Sequence, residues 1–249
     1  MPRRLGQHFL NSPSILDRIA TAACPSETDL VVEIGPGKGS LTGHLLLKAK
    51  RVVAVEIDNV LVHYLRHRFR EEPRLTIVNQ DVLKADLAAW GPAVIAGNLP
   101  YYITSPILEK VFAAGPAWQR AVFLVQKEVA ERVTANPGSR DYGYMSVQTQ
   151  VNAHAEILFA VGRGAFQPPP NVDSAVFALE RVAAAPVEDI PGFLAFASIA
   201  FRHKRKTLRN NLLMHYTKEQ VDATGLASER AEQLSVSELA AIWRGCRSG

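Results

Sequence analysis

Along the first two-thirds of the chain, short runs of valine, isoleucine and leucine alternate with apolar residues at helical spacing. Leu30–Ile34, Arg51–Ile57, Leu75–Val78 and Ala93–Ala96 are apolar without strict alternation, which predicts strands buried on both faces. Ala121–Val125, Ile157–Val161 and Ala175–Leu179 are further strand candidates. Helical patterns fall on Ser12–Ala23, Leu41–Lys48, Asn59–Arg70, Ser105–Ala114 and Lys127–Ala135. This alternation predicts an α/β fold with a parallel sheet covered on both sides. Gln150–Val161 and Phe166–Leu179, separated mainly by a loop, predict an antiparallel hairpin at one sheet edge. After a linker at Ala183–Pro186 the pattern is helical only, with capping boxes at Thr217/Gln220 and Ser235/Glu238 and an apolar face of Leu239, Ile242 and Trp243. The expected division is a catalytic domain over 1–182 and a small helical domain over 187–249.

Composition narrows the class. The 249 residues are 47% hydrophobic and 21% charged, the profile of a globular protein with room for a sizeable core. Two cysteines, Cys24 and Cys246, make no disulfide framework, nothing suggests a metal site, and a reducing cytoplasm is the default. The first ten residues lack the apolar core of a signal peptide, and the longest apolar run, about Phe193–Phe201, is too short to span a bilayer. Nothing demands more than a monomer. The net charge of +4 and pI near 9.1 lean mildly towards polyanions. Their distribution is more telling: between Asp189 and Glu219 there is no acid, while Arg202, Lys204, Arg205, Lys206, Arg209 and Lys218 fall in that stretch. The cluster Arg202–Arg209 is expected to be a basic helix that holds phosphates.

Ligands of an open parallel sheet bind beyond the carboxyl ends of its strands. Four successive predicted strands are followed there by Gly35-Pro36-Gly37-Lys38-Gly39, by Glu56 and Asp58, by Asp81, and by Gly97-Asn98-Leu99-Pro100-Tyr101-Tyr102. The glycine spacing does not fit the dinucleotide pattern. Glu33, just before the loop, would repel a pyrophosphate and favour a ligand with a sulfonium or an amino group, and S-adenosylmethionine has both. Glu56, 21 residues after Gly35, is placed to accept hydrogen bonds from ribose hydroxyls, and Asp81 from an adenine amine. Asp58 suits a helix cap.

Asn98-Leu99-Pro100-Tyr101 carries the most specific chemistry. An adenine amine is a poor nucleophile because its lone pair is delocalised into the ring. Two acceptors on its N–H groups favour the pyramidal form with a localised lone pair. The Asn98 side-chain carbonyl and the Leu99 backbone carbonyl, next to a proline without an N–H, can be that pair. Tyr101 offers a face for stacking the base. A stacked base cannot enter such a pocket, so the substrate should be a flipped or looped-out adenosine.

Eight blocks in order resemble the ribosomal RNA adenine dimethyltransferases of the KsgA type. They are Gly6-Gln7-His8-Phe9-Leu10, Val32–Gly37, Val55–Asp58, Gln80-Asp81, Gly97–Tyr101, Phe123–Val129, Phe166–Val176 and Arg202–Asn210. The resemblance implies a Rossmann-like, seven-stranded methyltransferase sheet with a helical C-terminal domain. It implies S-adenosyl-L-methionine as methyl donor and contacts to it from His8, Leu10, Gly35, Glu56, Asp81 and Asn98, beside Glu33 and Gly37 of the loop block. It implies transfer of two methyl groups to each of two adjacent adenosines in the 3′-terminal hairpin of small-subunit rRNA, within an immature small ribosomal subunit, with Phe166 in the base pocket. The chain departs from the family's common residues at His8 and Tyr102, each often Asn, and at Lys204, often Arg; the last two touch neither acceptor.

Rival readings make other expectations. Large-subunit rRNA adenine methyltransferases of the antibiotic-resistance type carry Ile in place of Leu99 and differ at Val172-Asp173-Ser174. A DNA adenine methyltransferase would carry a larger base-reading domain. A non-catalytic ribosome-assembly factor could lose the acceptors, and Asn98 and Pro100 are intact.

Overall fold

The computed structural model describes residues 8–223 and 225–247; Gly6 and Gln7 of the first family block lie outside them. In chain order the elements are β1 (Phe9–Leu10), α1 (Pro13–Ala23), β2 (Thr28–Ile34), α2 (Ser40–Leu46), β3 (Ala49–Glu56), α3 (Asn59–Arg68) and β4 (Leu75–Asn79). There follow β5 (Ala93–Asn98), α4 (Thr104–Ala113), β6 (Trp118–Gln126), α5 (Lys127–Thr134), α6 (Tyr144–Asn152) and β7 (Ala153–Val161). The remainder is β8 (Phe166–Gln167), β9 (Ser174–Arg181), α7 (Ile190–Ala200), α8 (Leu208–Leu212), α9 (Lys218–Asp222) and α10 (Val236–Arg247).

The seven-stranded sheet has the order β4-β3-β2-β5-β6-β9-β7. Strands β4, β3, β2, β5 and β6 run parallel, and β9 pairs antiparallel with β6, Phe123 opposite Phe177. This is the expected α/β sheet. Val31, Val32, Val52, Ala54, Ile95, Ala96, Phe123 and Leu124 are all at most 1% exposed, which is why their runs do not alternate. Strand order reverses between β2 and β5, and the crevice beyond that switch point is where such sheets bind ligands. Helix α1 buries Leu16, Ile19, Ala20 and Ala23, an i, i+3, i+4, i+7 stripe.

Contacts divide the chain into two units: the first runs to Ala130 and includes Glu156–Arg181, the second comprises Glu131–Ala155 and everything from Val182 on. Residues 131–155 therefore pack with the C-terminal helices rather than with the part of the chain they follow. Tyr142, Val147 and Val151 share a core with Phe193, Phe196, Leu208, Leu212, Val221, Leu239 and Trp243. Both expected capping boxes form: Thr217 Oγ1 accepts from Gln220 N at 3.3 Å, and Ser235 Oγ from Glu238 N at 3.3 Å.

Three local expectations are corrected. Gln150–Asn152 closes helix α6 instead of opening a strand; Asn152 Nδ2 bonds the carbonyl of Gln148 at 2.8 Å within it. Phe166–Leu179 is not one strand, because Pro168–Pro170 supply no N–H to a ladder. Phe166–Gln167 instead pairs with β1 in a separate two-stranded sheet, and Ser174 begins β9. Finally, Arg202–Lys206 forms turns, not helix. Asn211 Nδ2 donates to the carbonyls of Ala200 at 2.8 Å and His203 at 3.2 Å, ending α7 and pinning the turn, and Thr207 then caps α8. No helix among the described residues is long and apolar enough to cross a membrane.

Candidate active site

A cleft of about 320 Å³ opens at the carboxyl ends of the central strands of the first unit. His8, Leu10, Glu33, Gly35, Gly37, Glu56, Asp81, Asn98, Leu99, Pro100 and Tyr101 all line it. Residues up to 93 positions apart in sequence thus meet in one place because parallel β-α-β crossovers return every strand with the same end up.

The glycine loop approaches other backbone closely. Gly35 N donates to the Val55 carbonyl at 3.0 Å, and Gly37, at φ 58°, sits against the Phe9 ring, where a Cβ would lie 3.1 Å from a ring carbon. Glu56 is 4% exposed and its carboxylate is held by two backbone amides: Oε2 accepts from Gly37 N at 3.1 Å and Oε1 from Asp58 N at 3.0 Å. Both oxygens keep a further lone pair for ligand hydroxyls. The loop amide of Gly37, which a pyrophosphate would need, is already taken by an acid. Asp58 caps α3 as expected, accepting from Val60 N at 2.7 Å.

Glu33 does something other than the sequence suggests. It is 1% exposed beneath the loop, and Thr42 Oγ1 donates to its Oε2 at 2.6 Å. Burial, opposed by the Thr42 bond and helped by the neighbouring Glu56 charge, pushes its pKa up to about 8. Near neutrality it carries a proton, so the Coulomb argument for repelling phosphate passes from Glu33 to Glu56. A cationic ligand in the cleft would draw the Glu33 proton off. The unfolded chain releases this proton near 4.5 while the folded protein keeps it to about 8. The unfolded state therefore binds fewer protons in that window, and stability falls as pH rises through it. Glu33→Gln should consequently be stabilising at pH 8 relative to wild type by roughly 2–4 kcal/mol, with the gain shrinking to near zero at pH 4.5. Thermal melts of both proteins across this range check it; a pH-independent difference would mean that Glu33 is ionised when folded.

At the other end of the cleft the Asn98 amide is oriented by the chain itself. Its Nδ2 donates to the His8 carbonyl at 3.1 Å, which leaves Oδ1 without a partner among the described residues. Leu99 is 1% exposed, and its N–H extends the β5–β6 ladder to the Leu124 carbonyl at 3.0 Å. The Leu99 carbonyl accepts no bond among the described residues. The Pro100 carbonyl, by contrast, is taken by Ile103 N at 3.2 Å and Thr104 Oγ1 at 3.3 Å. Tyr101 is fixed twice: its hydroxyl shares a hydrogen bond with Ser174 Oγ at 3.0 Å, and its ring stacks on His8 with centroids 5.9 Å apart. His8 is itself tied at Nδ1 to the Pro168 carbonyl at 2.8 Å. Burial pushes the Tyr101 hydroxyl up, the Ser174 bond opposing, so the phenol stays neutral.

Two lining residues, Ile57 and Leu83, were not singled out by the sequence reading, while Tyr102 closes the cluster that it placed at the fourth strand end. Ile57 is 56% exposed, Leu83 36% and Tyr102 59%, unusual exposure for large apolar side chains, and all three face this cleft. Ile57 and Leu83 follow Glu56 and Asp81 closely and offer apolar walls to a flat heterocycle. In sequence Ile57 merely looked like the end of a strand. Ser174, fully buried and bonded to Tyr101 outside the cleft lining, was named only as part of the proline-rich block. Asp81 turns Oδ1 to Leu83 N at 3.0 Å, a local turn that leaves Oδ2 as the acceptor.

Phe166 does not line the cleft. It is 5% exposed in the core of the first unit, opposite Leu10 in the β1–β8 pair, so its place is behind the segment that carries His8. In the second unit Arg202, Arg205 and Lys206 are exposed on the turn after α7, without an ion pair among the described residues. Lys204 is held by the Arg140 carbonyl and lies 3.9 Å from Glu232, and Arg209 pairs with Asp222 at 2.5 Å. These two cations are already committed within their own unit.

A glycine loop whose amide is closed to phosphate, a buried acid at the second strand end, and apolar walls fit an adenosyl cofactor with a cationic methionine tail. The fold and the cleft define an S-adenosylmethionine-dependent methyltransferase. The family model for ribosomal RNA adenine dimethylases matches residues 2–243, and the chain belongs to that family. It is 40% identical to the ribosomal RNA small subunit methyltransferase A of Koribacter versatilis over 99% of this chain and 94% of that one. Its identity to the protein of the same name from Streptococcus pneumoniae is 39%, covering 96% and 90%. Among solved structures, a dimethyladenosine transferase from Plasmodium falciparum superimposes with a TM-score of 0.83 at 27% identity, over 94% of this chain and 96% of that one. The 23S rRNA methyltransferase ErmE gives 0.75 at 28% identity, over 96% and 99%.

Proposed function

We propose that this enzyme dimethylates the N6 amines of two adjacent adenosines in the 3′-terminal hairpin of small-subunit rRNA, acting in the cytoplasm, as a monomer, on an immature small ribosomal subunit. The observation that carries the chemistry is the pair of open acceptors, Asn98 Oδ1 and the Leu99 carbonyl, beside the tethered Tyr101 ring. The small-subunit target is supported by Leu99 and by Val172-Asp173-Ser174, and by about 40% identity to small-subunit enzymes against 28% to ErmE.

S-adenosylmethionine supplies an electrophilic methyl group on a sulfonium. Glu56, Asp81, Ile57 and Leu83 are the residues that would hold its adenosine, with Gly35, Gly37 and Leu10 shaping the floor. In the first transfer Asn98 and Leu99 accept from the two N–H groups of the target amine, which localises its lone pair; in the second, one of them accepts from the single N–H that remains. Tyr101 takes the base on its ring and Ser174 keeps the ring in place. The amine attacks neutral and loses a proton to solvent after each transfer, so no side chain need act as a base beforehand; positioning and fixed dipoles provide the rate. The exposed Arg202, Arg205 and Lys206 of the second unit would meet phosphates.

Purified protein, labelled methyl donor and undermethylated small subunits should yield four methyl groups per subunit on two neighbouring adenosines, as located by mass mapping of the rRNA. With protein-free large-subunit rRNA offered in the same assay, label on that RNA alone would give the function to the rival class.

A further inference from the structure

Helix α3 presents a surface that its own fold does not explain. Its buried side is Val62 and Leu65. Its outer side carries His63, Arg66 and His67 at i, i+3 and i+4, all exposed, and Arg70 follows just past its end. No acid lies between Asp58, whose carboxylate caps the helix, and Glu71. His63, Arg66 and His67 make no hydrogen bond or ion pair among the described residues, and Arg70 meets only Glu71, at 3.1 Å, in a pair 66% and 84% exposed. Cations in the last turn complement the helix dipole. That accounts for Arg66 and His67 in part, but not for the apolar row beside them, Val60 at 75% and Tyr64 at 47% exposure. Basic side chains next to an exposed aromatic ring are a surface for nucleic acid.

The fifth basic residue of this region, Arg68, is used differently. Arg68 Nη1 donates to the Lys38 carbonyl at 2.5 Å, and Gly39 packs so tightly on α3 that a Cβ there would lie 2.6 Å from Phe69. The helix is thereby fixed to the glycine loop of the cleft, within one unit. A polyanion on its outer face would be held on the same body that carries the methyl-transfer site.

We propose that the outer face of α3 is a second RNA-contact site, on the methyltransferase unit itself, with Arg66 and Arg70 taking backbone phosphates and Tyr64 stacking an unpaired base. This rests on the functional reading above. The test is filter binding of undermethylated small subunits at graded salt. Arg66→Ala/Arg70→Ala should bind about tenfold more weakly at 0.1 M salt, with the salt slope reduced by about 1–2. Arg66→Lys/Arg70→Lys should restore both values, Glu71→Gln should tighten binding, and Tyr64→Ala should weaken it with the slope unchanged. Cofactor affinity by calorimetry should match wild type throughout. Wild-type affinity, slope and methylation rate in the double alanine variant would overturn the site and leave the functional reading standing. A wild-type protein that neither binds nor methylates the subunits would overturn both. Wild-type binding to phosphatidylglycerol vesicles that is lost in the double variant, with subunit binding unchanged, would assign the face to a membrane and overturn the RNA site.

Discussion

Asn98→Ala is expected to lower the rate of methyl transfer about 10²–10³-fold while subunit binding holds. Losing one preorganised polar partner of the reacting group costs about that much in enzymes whose catalysis is chiefly electrostatic. The effect should fall on kcat rather than KM, because Oδ1 grips the amine most strongly when its nitrogen pyramidalises. The chain fixes which atom of the amide faces the cleft: Nδ2 is committed to the His8 carbonyl at 3.1 Å, so only the oxygen is offered. Asn98→Asp is the sharper variant. It keeps an acceptor but sets a carboxylate oxygen against the His8 carbonyl, so the side chain must turn away. Both variants should be slow in single-turnover assays with labelled cofactor. Dimethylation of Asn98→Ala at the wild-type rate would remove the acceptor pair from the mechanism.

Gly97→Ala should be as damaging, through packing instead of chemistry. Strand β5 passes so close to the end of β2 that a Cβ at position 97 would lie 2.5 Å from the Ile34 carbonyl oxygen and 3.2 Å from the Leu99 side chain. The first neighbour is backbone in the central parallel ladder and cannot give way cheaply. Forcing the strands apart should cost roughly 2–4 kcal/mol, within the range for overpacked cores and well above that of a surface change. For a chain of this size that lowers the melting temperature by about 4–16 °C. Cofactor affinity should fall with it, since Ile34 leads into Gly35 and Gly97 into Asn98. A melting temperature within a degree or two of wild type would show that the two strand ends have room between them.

The two predictions concern neighbouring residues of one motif, yet only one was legible beforehand. Asn98 has a side chain whose donors and acceptors can be read from its name. Gly97 has none, and its necessity lies in how near β2 comes. The same contrast runs through the site. Glu56 and Asp81 were legible as cleft residues because each acid follows a predicted parallel strand at its carboxyl end, where such sheets bind ligands. Ile57 and Leu83 were not, because an apolar residue after a strand looks like more strand until its exposure is known. Glu33 was found for its position and misjudged for its charge, since burial, helped by the nearby Glu56, keeps its proton against the opposing bond from Thr42, nine residues on. Phe166 was placed in a pocket it stands behind, because pairing with Leu10 joins segments more than 150 residues apart. The basic cluster was read as a helix from its sequence spacing; the amide of Asn211, reaching back to Ala200 and His203, makes it a turn.

By itself the sequence determined the alternation of strands and helices from α1 to α5, the edge of the sheet at which chemistry would gather, and the acceptor motif as a candidate, because periodicity and side-chain chemistry are local properties. The tertiary structure alone decided which unit residues 131–155 join, which cations are already paired, which carboxyl keeps its proton and which way the Asn98 amide turns. Each of those depends on desolvation or on a partner remote in sequence, and neither is visible until the chain has folded back on itself.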